Sequence, residues 1–513
     1  MNSLKIWGAP GTGKTTTLLK EIKREANLKG IENLTITTFR RDVADEIKYK
    51  VSIITDANQS ALENINTIHG ICYNLLGRPE VITINDLNNF VKKYGYEMSR
   101  GAVDPTDPDD GPVGHLKKFF NFDSWMKNTC TPLSCYYKYP NIADQKNGYD
   151  FKQVSREYEE FKNEIGKIDF TDMLIKCYNQ GLTPNTKVLI VDEFQDLTKL
   201  QYNIFEMWVE SMGVVIIAGD PLQSIYPFWG SSPDYLRKWD AEQYILPISY
   251  RLPANVWRTA EDTLRYNGRQ ETPEIETKNE AGNVYTIYYR DMEYYLSEHY
   301  GHAIGTTFHL VRANCQVLPI ANVLVKMGIP FYNNLCGWTD NDINLLNVLV
   351  KIRNWITPTV VELNALVDNY PMKYFYWYSN KKELKDSIKE AGSMGGFQKI
   401  ENELIDLIRG GDPVEGMQNT GAFNKKKIGV MLQKNAILDP KYITTFIKTI
   451  HGSKGLEANT VFLHTGITKK INRNILDYEK LKDEACVWYV GLSRTSQNMF
   501  IVLDKGTRFN VCS

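Results

Sequence analysis

Residues Gly8-Ala9-Pro10-Gly11-Thr12-Gly13-Lys14-Thr15 satisfy G-x-x-x-x-G-K-[ST] at every fixed position. Four fixed positions give roughly 0.02 chance matches in a chain this long at average composition. Leu4–Trp7 reads as a short strand before the motif. Thr16–Arg24, with Leu18, Leu19 and Ile22 on one face, reads as a helix after it. A strand, a glycine-rich turn and a helix in that order form a P-loop and commit the chain to an α/β fold with a parallel sheet. Backbone N–H groups and the helix N-terminus make a positive cradle for phosphates. Lys14 is expected on the β/γ-phosphates of a nucleoside triphosphate, and Thr15 on Mg²⁺.

Two further strands end in chemistry. Lys187–Val191 is a nearly continuous apolar run, the pattern of a strand buried on both faces, and it runs into Asp192-Glu193-Phe194-Gln195-Asp196. A carboxylate at the tip of such a strand beside a P-loop holds Mg²⁺, and the next one deprotonates the attacking water, so Asp192 is assigned to the metal and Glu193 to the base. Val214–Ala218 is followed by Gly219-Asp220-Pro221-Leu222-Gln223-Ser224-Ile225-Tyr226. The amide of Gln223 both donates and accepts, as a γ-phosphate sensor must.

The bulk numbers narrow the class. A length of 513 residues allows about three or four domains. With 42% hydrophobic and 24% charged residues, the chain reads as a soluble globular protein. A net charge of −1 means that a nucleic-acid partner would be met by a local surface rather than by bulk charge. Cysteines at 72, 130, 135, 177, 315, 336, 486 and 512 form no C-x-x-C pair, so free thiols in a reducing compartment are expected, and no structural metal. No apolar run has the length of a membrane span, and no signal peptide precedes the P-loop, so an intracellular, cytoplasmic, soluble chain is expected.

The order of the motifs, and further words around them, resemble superfamily 1A DNA helicases of the UvrD/Rep/PcrA type over nearly the whole length. Besides Gly8–Thr15, DEFQD (with Gln201 downstream) and GDPLQSIY, the words are Thr37-Thr38-Phe39, Thr67-Ile68-His69-Gly70, Asp169–Leu174, Ser249-Tyr250-Arg251, Leu310–Asn314, Thr449–Glu457 and Val487–Thr495.

The resemblance implies two RecA-like P-loop NTPase domains with parallel sheets flanked by helices, each carrying a mainly helical insertion. Domain 1A is expected over 1–70 and 166–246, insertion 1B over 71–165, domain 2A over 247–342 and 431–513, and a reduced insertion 2B over 343–430. It implies that Gly8, Ala9, Pro10, Gly11, Thr12, Gly13, Lys14, Thr15 and Thr16 bind ATP. Tyr250 would stack on the base, and Glu457 would bond the ribose. Glu193, Gln223, Arg251 and Arg494 would be the hydrolytic set, with both arginines reaching in from the second domain. Thr38, Phe39, His69, Tyr226, Phe228, Trp229 and His451 would line single-stranded DNA, where stacking tolerates any sequence. The implied activity is ATP-dependent 3′→5′ translocation and unwinding by a monomer, on single-stranded and tailed duplex DNA, with a replication or repair protein as a further partner. The readings left beside it are a translocase that strips proteins from DNA, a nucleotide-gated docking module, and an RNA-directed enzyme.

Four departures stand out. No glutamine-bearing helix precedes the P-loop, which leaves adenine selectivity open. Trp229 occupies the position where the family places arginine. The interval 343–430 is short for 2B. The chain ends soon after Arg494, without room for a nuclease. Three segments remain outside the motifs: the acidic loop Asp104–Pro112, read as solvated; the aromatic run Tyr370–Tyr378, read as packing for a small subdomain; and Lys425-Lys426-Lys427, read as a solvated basic run.

Overall fold

The computed structural model describes residues 2–55, 57, 61–96, 114–139, 150–269, 272, 274–277, 280–300, 305–376, 378–504, 509 and 511. The loop Asp104–Pro112, Trp377 and Cys512 lie outside the described residues.

The chain forms two compact units: residues 1–284, 468–497 and 508–513, and residues 285–467 with 498–507. The first unit is built on a six-stranded sheet. Its strands are β1 (Asn2–Gly8), β2 (Leu34–Thr38), β3 (Ile65–Thr67), β4 (Val188–Val191), β5 (Val214–Gly219) and β6 (Glu242–Leu246), in the order β3-β2-β4-β5-β1-β6, every neighbour parallel. Parallel strands need covered faces, and the side-chain alternation supplies two cores. Val188 and Ile190, with Val214, Ile216 and Ala218, point to one face and pack with Ile6 of β1, Leu18 and Ile22 of α1 (Lys14–Lys29), and Ile47 and Val51 of α2 (Arg41–Thr55). Leu189, Val191, Val215 and Ile217 point to the other, against α3 (Ile68–Leu75) and two later helices.

Helices α4 (Ile84–Lys93), α5 (Gly114–Asn128) and α6 (Phe151–Ile165) form the insertion between β3 and β4. Its core is mostly aromatic, with Phe90, Phe119, Phe122, Phe151, Tyr158 and Phe161 all buried. Helix α7 (Phe170–Asn179) opens on a reciprocal cap between Asp169 and Asp172. The same two carboxylates hold Lys162 of α6, 2.9 Å from Asp169. Helix α8 (Lys199–Val209) is capped likewise by Thr198 and Gln201, and its Trp208 is fully buried, with Nε1 donating to the Leu182 carbonyl at 2.9 Å. Emptying that site with alanine would cost about 3–5 kcal/mol.

The first unit continues through α9 (Asp234–Lys238), β7 (Ile248–Ser249), α10 (Ala254–Tyr266) and β8 (Glu276–Thr277). The second unit is entered along β9 (Asn283–Tyr288) and contains α11 (Met292–Tyr300), β10 (Thr307–Val311) and α12 (Val317–Met327). Its insertion is helical throughout: α13 (Asp340–Arg353), α14 (Val360–Asn369), α15 (Lys381–Phe397), α16 (Asn402–Gly410) and α17 (Ala422–Gln433). Strands β11 (Thr445–Thr449) and β12 (Ala458–His464) follow. The chain then returns to the first unit through α18 (Lys469–Asn474) and α19 (Tyr478–Leu492) before β13 (Thr495–Leu503). The second sheet runs β11-β10-β12-β13-β9, with β10 parallel to both its neighbours.

Two segments qualify the sequence reading. Tyr370, Tyr374 and Phe375 of the aromatic run are buried in the core of the helical insertion, as expected of a small subdomain. Lys427, expected to be solvated, is 1% exposed: it donates to the Gly337 carbonyl at 2.7 Å and to Asp342 at 3.2 Å, and faces the Trp338 ring. Burial in an apolar core requires such a cation to be paired, and Asp342 pairs it.

Compactness also cuts the chain elsewhere than the expected 1A/2A boundary. Residues 247–284 and 468–497 belong to the first unit, so Arg251 and Arg494 share a unit with Lys14 and Glu193.

Candidate nucleotide and nucleic-acid site

All the chemistry of the first unit gathers at the carboxyl ends of its strands, where open parallel sheets bind ligands. The P-loop joins β1 to α1. Thr12 Oγ1 donates to the Ala9 carbonyl at 2.8 Å, and the Lys14 ammonium donates to the carbonyls of Gly8 at 2.7 Å and Ala9 at 3.3 Å. The ammonium thus lies over the mouth of the loop, within reach of phosphate oxygens. Gly11 has φ +74°, and a Cβ there would stand 2.3 Å from the Arg251 Cβ. The close approach is built: Tyr250 N–H donates to the Gly11 carbonyl at 2.9 Å, and Ser249 Oγ to that of Pro10 at 2.9 Å. Tyr250 and Arg251 are therefore docked on the phosphate loop, the Tyr250 ring 62% exposed beside it.

Asp192 and Glu193 leave the tip of β4. Asp192 is buried, and desolvation together with the Glu193 charge pushes its carboxyl up to about 7, while Lys14 pulls it down. Glu193 adopts φ 52°, ψ 41°, a left-handed conformation that non-glycine residues adopt only under constraint. Among the described residues no group of three or more His, Cys, Asp or Glu side chains would hold a metal by itself. The donors fit Mg²⁺, which takes one or two protein oxygens and completes its shell with phosphates and water. Thr15, in the first turn of α1, and Asp192, at the tip of β4, offer the hydroxyl and carboxylate oxygens that such an ion would use.

The cations lie opposite. Arg494 is 1% exposed. Its Nε donates to the Val490 carbonyl at 2.8 Å, and its Nη2 to Ser493 Oγ at 2.7 Å and to Gln223 Oε1 at 3.3 Å. Burial, then the charge of Arg251, lowers it to about 9, so it stays cationic at neutral pH. Gln223 Nε2 donates to Asp220 Oδ2 at 2.8 Å, and Tyr489 Oη donates to the same oxygen at 3.3 Å. Lys14, Asp192, Glu193, Gln223, Arg251 and Arg494 thus gather in one unit. Glu457, exposed just before β12, and His451, half-buried after β11, belong to the other.

The expected DNA contacts of the first unit form one aromatic group. Tyr226 is buried against Phe39 (centroids 5.2 Å apart, 23° between planes) and Trp229 (5.3 Å, 11°), and Phe39 and Trp229 meet each other at 6.5 Å, so the three rings form a cluster. Phe228 meets Trp229 edge-on at 5.3 Å, and these two rings are 47% and 49% exposed. Thr38 is buried at the end of β2, its hydroxyl without a hydrogen-bond partner among the described residues. His69 is half-buried on the first turn of α3. Enclosure drives its imidazole down to about 4 against the pull of Asp169, so it presents a neutral ring. Tyr226 is buried within this ring cluster, and Phe228 and Trp229 are its exposed members. Sequence reasoning did not single out Gln195, Asp220 or Tyr489, whose buried hydrogen bonds join the motifs; the only signal for them was their place inside the motif words.

A model of the UvrD/REP helicase N-terminal domain matches residues 1–243, and one of the UvrD-like helicase C-terminal domain matches 141–506. A probable DNA helicase II homolog of Mycoplasma pneumoniae is 23% identical over 97% of this chain and 81% of its own length. The ATP-dependent DNA helicase PcrA of Staphylococcus epidermidis is 22% identical over 78% of this chain and 60% of its own length. DNA helicase II of Haemophilus influenzae is 25% identical over 64% and 49%. The chain thus spans four-fifths of the first of these relatives and about half to three-fifths of the other two.

Proposed function

The chain belongs to the UvrD-like family of ATP-dependent DNA helicases, and we propose that it moves 3′→5′ along single-stranded DNA and unwinds tailed duplexes as it moves. In this reading the P-loop N–H groups and Lys14 hold the β- and γ-phosphates, and Tyr250 covers the base. Glu193 takes the proton of the attacking water, Gln223 senses the γ-phosphate, and Arg251 and Arg494 offset the charge that develops on its oxygens. Thr15 and Asp192 would hold Mg²⁺, which would supply further positive charge to the phosphates. Glu457 would bond the ribose.

The observation that carries the reading is the buried Arg494 beside Gln223, in one unit with Glu193 held in a left-handed backbone conformation. A buried guanidinium crowded by a second one is stabilised by an incoming anion, and a triphosphate brings the charge that this arrangement favours. Single-stranded DNA would lie across Thr38, Phe39, His69, Tyr226, Phe228 and Trp229, and His451 would also contact it. The division into 1A (1–70, 166–246), 1B (71–165), 2A (247–342, 431–513) and 2B (343–430) belongs to the same proposal. It follows the two sheets, and motion between the sheet-bearing parts would advance the strand.

The test is steady-state ATP turnover with and without single-stranded DNA, coupled to strand displacement on a tailed duplex. DNA-stimulated turnover with unwinding supports the reading. Stimulation without unwinding moves the function to translocation or protein displacement, and turnover indifferent to DNA moves it to a nucleotide-gated docking module.

A further inference from the structure

We propose that Gln195 is the positioning residue through which the aromatic DNA platform acts on the catalytic base Glu193; this rests on the DNA-stimulated ATPase reading above. Gln195 is fully buried on the short 3₁₀ turn Phe194–Asp196 that follows Glu193. Its Nε2 donates to Glu193 Oε2. Its Oε1 accepts the Asp220 N–H at 3.0 Å, and its main-chain carbonyl accepts Ser224 Oγ at 3.1 Å. One side chain and its own carbonyl thus touch the base on one side and two points of the 220–226 loop on the other.

The position is built for an amide. An ionised carboxylate accepts but does not donate, an aliphatic side chain does neither, and the amide donates to Glu193 while accepting from Asp220. The sheet makes room for it at Gly219, where a Cβ would stand 2.4 Å from Gln195 Oε1 and 2.8 Å from Leu236 Cδ2. The Asp220 end of the loop is fixed further, because its carboxylate accepts from Gln223 Nε2, the Leu222 N–H and Tyr489 Oη.

The other end of the loop is Tyr226, packed against both Phe39 and Trp229, whose own ring centroids are 6.5 Å apart. A nucleobase that enters this cluster must displace a ring, because each of the three rings already packs against the other two. Tyr226 lies two residues from Ser224, so the displacement pulls on the Gln195 carbonyl. Gln195 in turn moves the carboxylate of Glu193, a residue poised in a left-handed conformation that a small rearrangement can relax. DNA occupancy would thereby set where the base stands relative to the attacking water.

The experiment uses the full chain and measures turnover at saturating ATP with and without oligo-dT, oligo-dT affinity, thermal unfolding, and kcat against pH. In Gln195→Leu the ratio of DNA-stimulated to basal turnover is expected to fall about tenfold, and several-fold in Ser224→Ala, with DNA affinity within about twofold of wild type. Gln195→Glu places a second carboxylate against Glu193 and is expected to move the acid limb of the kcat profile up by about one pH unit. Equal loss of basal and stimulated turnover in Gln195→Leu and Ser224→Ala would overturn the inference, as would an unchanged ratio in both. Should Gln195→Leu fail to fold, Ser224→Ala, which removes only the link to the loop, decides alone. Wild-type turnover indifferent to DNA would fail the functional reading itself. A stimulated wild type with unaltered ratios in the variants would fail this inference only.

Discussion

Arg494 Nη2 donates to Gln223 Oε1 at 3.3 Å, across 271 residues of sequence, and both side chains are buried. The contact joins the turn after α19 to the loop that follows β5. It places a guanidinium on the residue expected to sense the γ-phosphate. Arg494→Ala would remove a buried cation expected to neutralise transition-state charge. It should lower kcat about 10³-fold or more, in line with other arginine fingers, and change ATP affinity far less. Pre-steady-state turnover with equilibrium nucleotide binding checks it; equal losses in both would make Arg494 a binding residue.

Glu193→Gln keeps the volume of the base and removes its proton acceptor. Turnover should fall about 10²–10⁴-fold, the usual contribution of a general base, while nucleotide binding persists. Lys14→Ala should lose both, because Lys14 is expected to touch the phosphates in the ground state and in the transition state alike.

Gly11→Ala should be costly for two reasons that act together. Its backbone has φ +74°, and the added Cβ would press on Arg251 at 2.3 Å. Displacement of Tyr250 and Arg251 from the phosphate loop should raise the KM for ATP, with about 1–3 kcal/mol of lost stability by chemical denaturation. An unaltered KM would show that the docking of residues 249–251 has no part in nucleotide binding.

Trp229→Ala removes one exposed ring of the cluster around Tyr226. Single-stranded DNA affinity should drop by ~1–3 kcal/mol, independent of sequence, as expected for the loss of one stacking platform. Fluorescence anisotropy with two unrelated oligonucleotides measures it. A loss confined to one sequence would point to base readout instead.

In the second unit His309 Nδ1 and His464 Nε2 lie 3.2 Å apart, both buried. Burial lowers His309 to about 3, and burial with the His309 charge lowers His464 well below its ordinary value. The folded state therefore binds these protons more weakly than the unfolded one, so stability rises with pH. It is complete above about 6.5 and is lost as pH falls from there toward 3, by a few kcal/mol. Denaturant titrations of wild type and His309→Phe across that window should differ in slope; parallel curves would contradict the assignment.

The chemistry of the first unit was legible because it is written in short words at strand ends. GxxxxGKT, DEFQD and GDPLQSIY each follow a run such as Val188–Val191 whose apolar continuity marks a strand buried on both faces. Contacts between words were not legible. Gln195 is one letter of DEFQD, and nothing in its spacing shows that its amide reaches Asp220 or that Gly219 is bare to admit it. Lys427 was misread for a different reason. Its neighbours Lys425 and Lys426 suggested solvent, but Phe423, Lys427 and Met431 recur every four residues on α17, a stripe that marks the buried face. The unit boundaries were hidden as well, because the packing of α10 against α19 depends on side chains more than 200 residues apart in sequence.

The measurement that bears most directly on the account is ATP-driven strand displacement on matched duplexes carrying either a 3′ or a 5′ single-stranded tail. The account predicts unwinding with the 3′ tail alone, lost in Glu193→Gln. Unwinding from the 5′ tail, or displacement that survives Glu193→Gln, would contradict it.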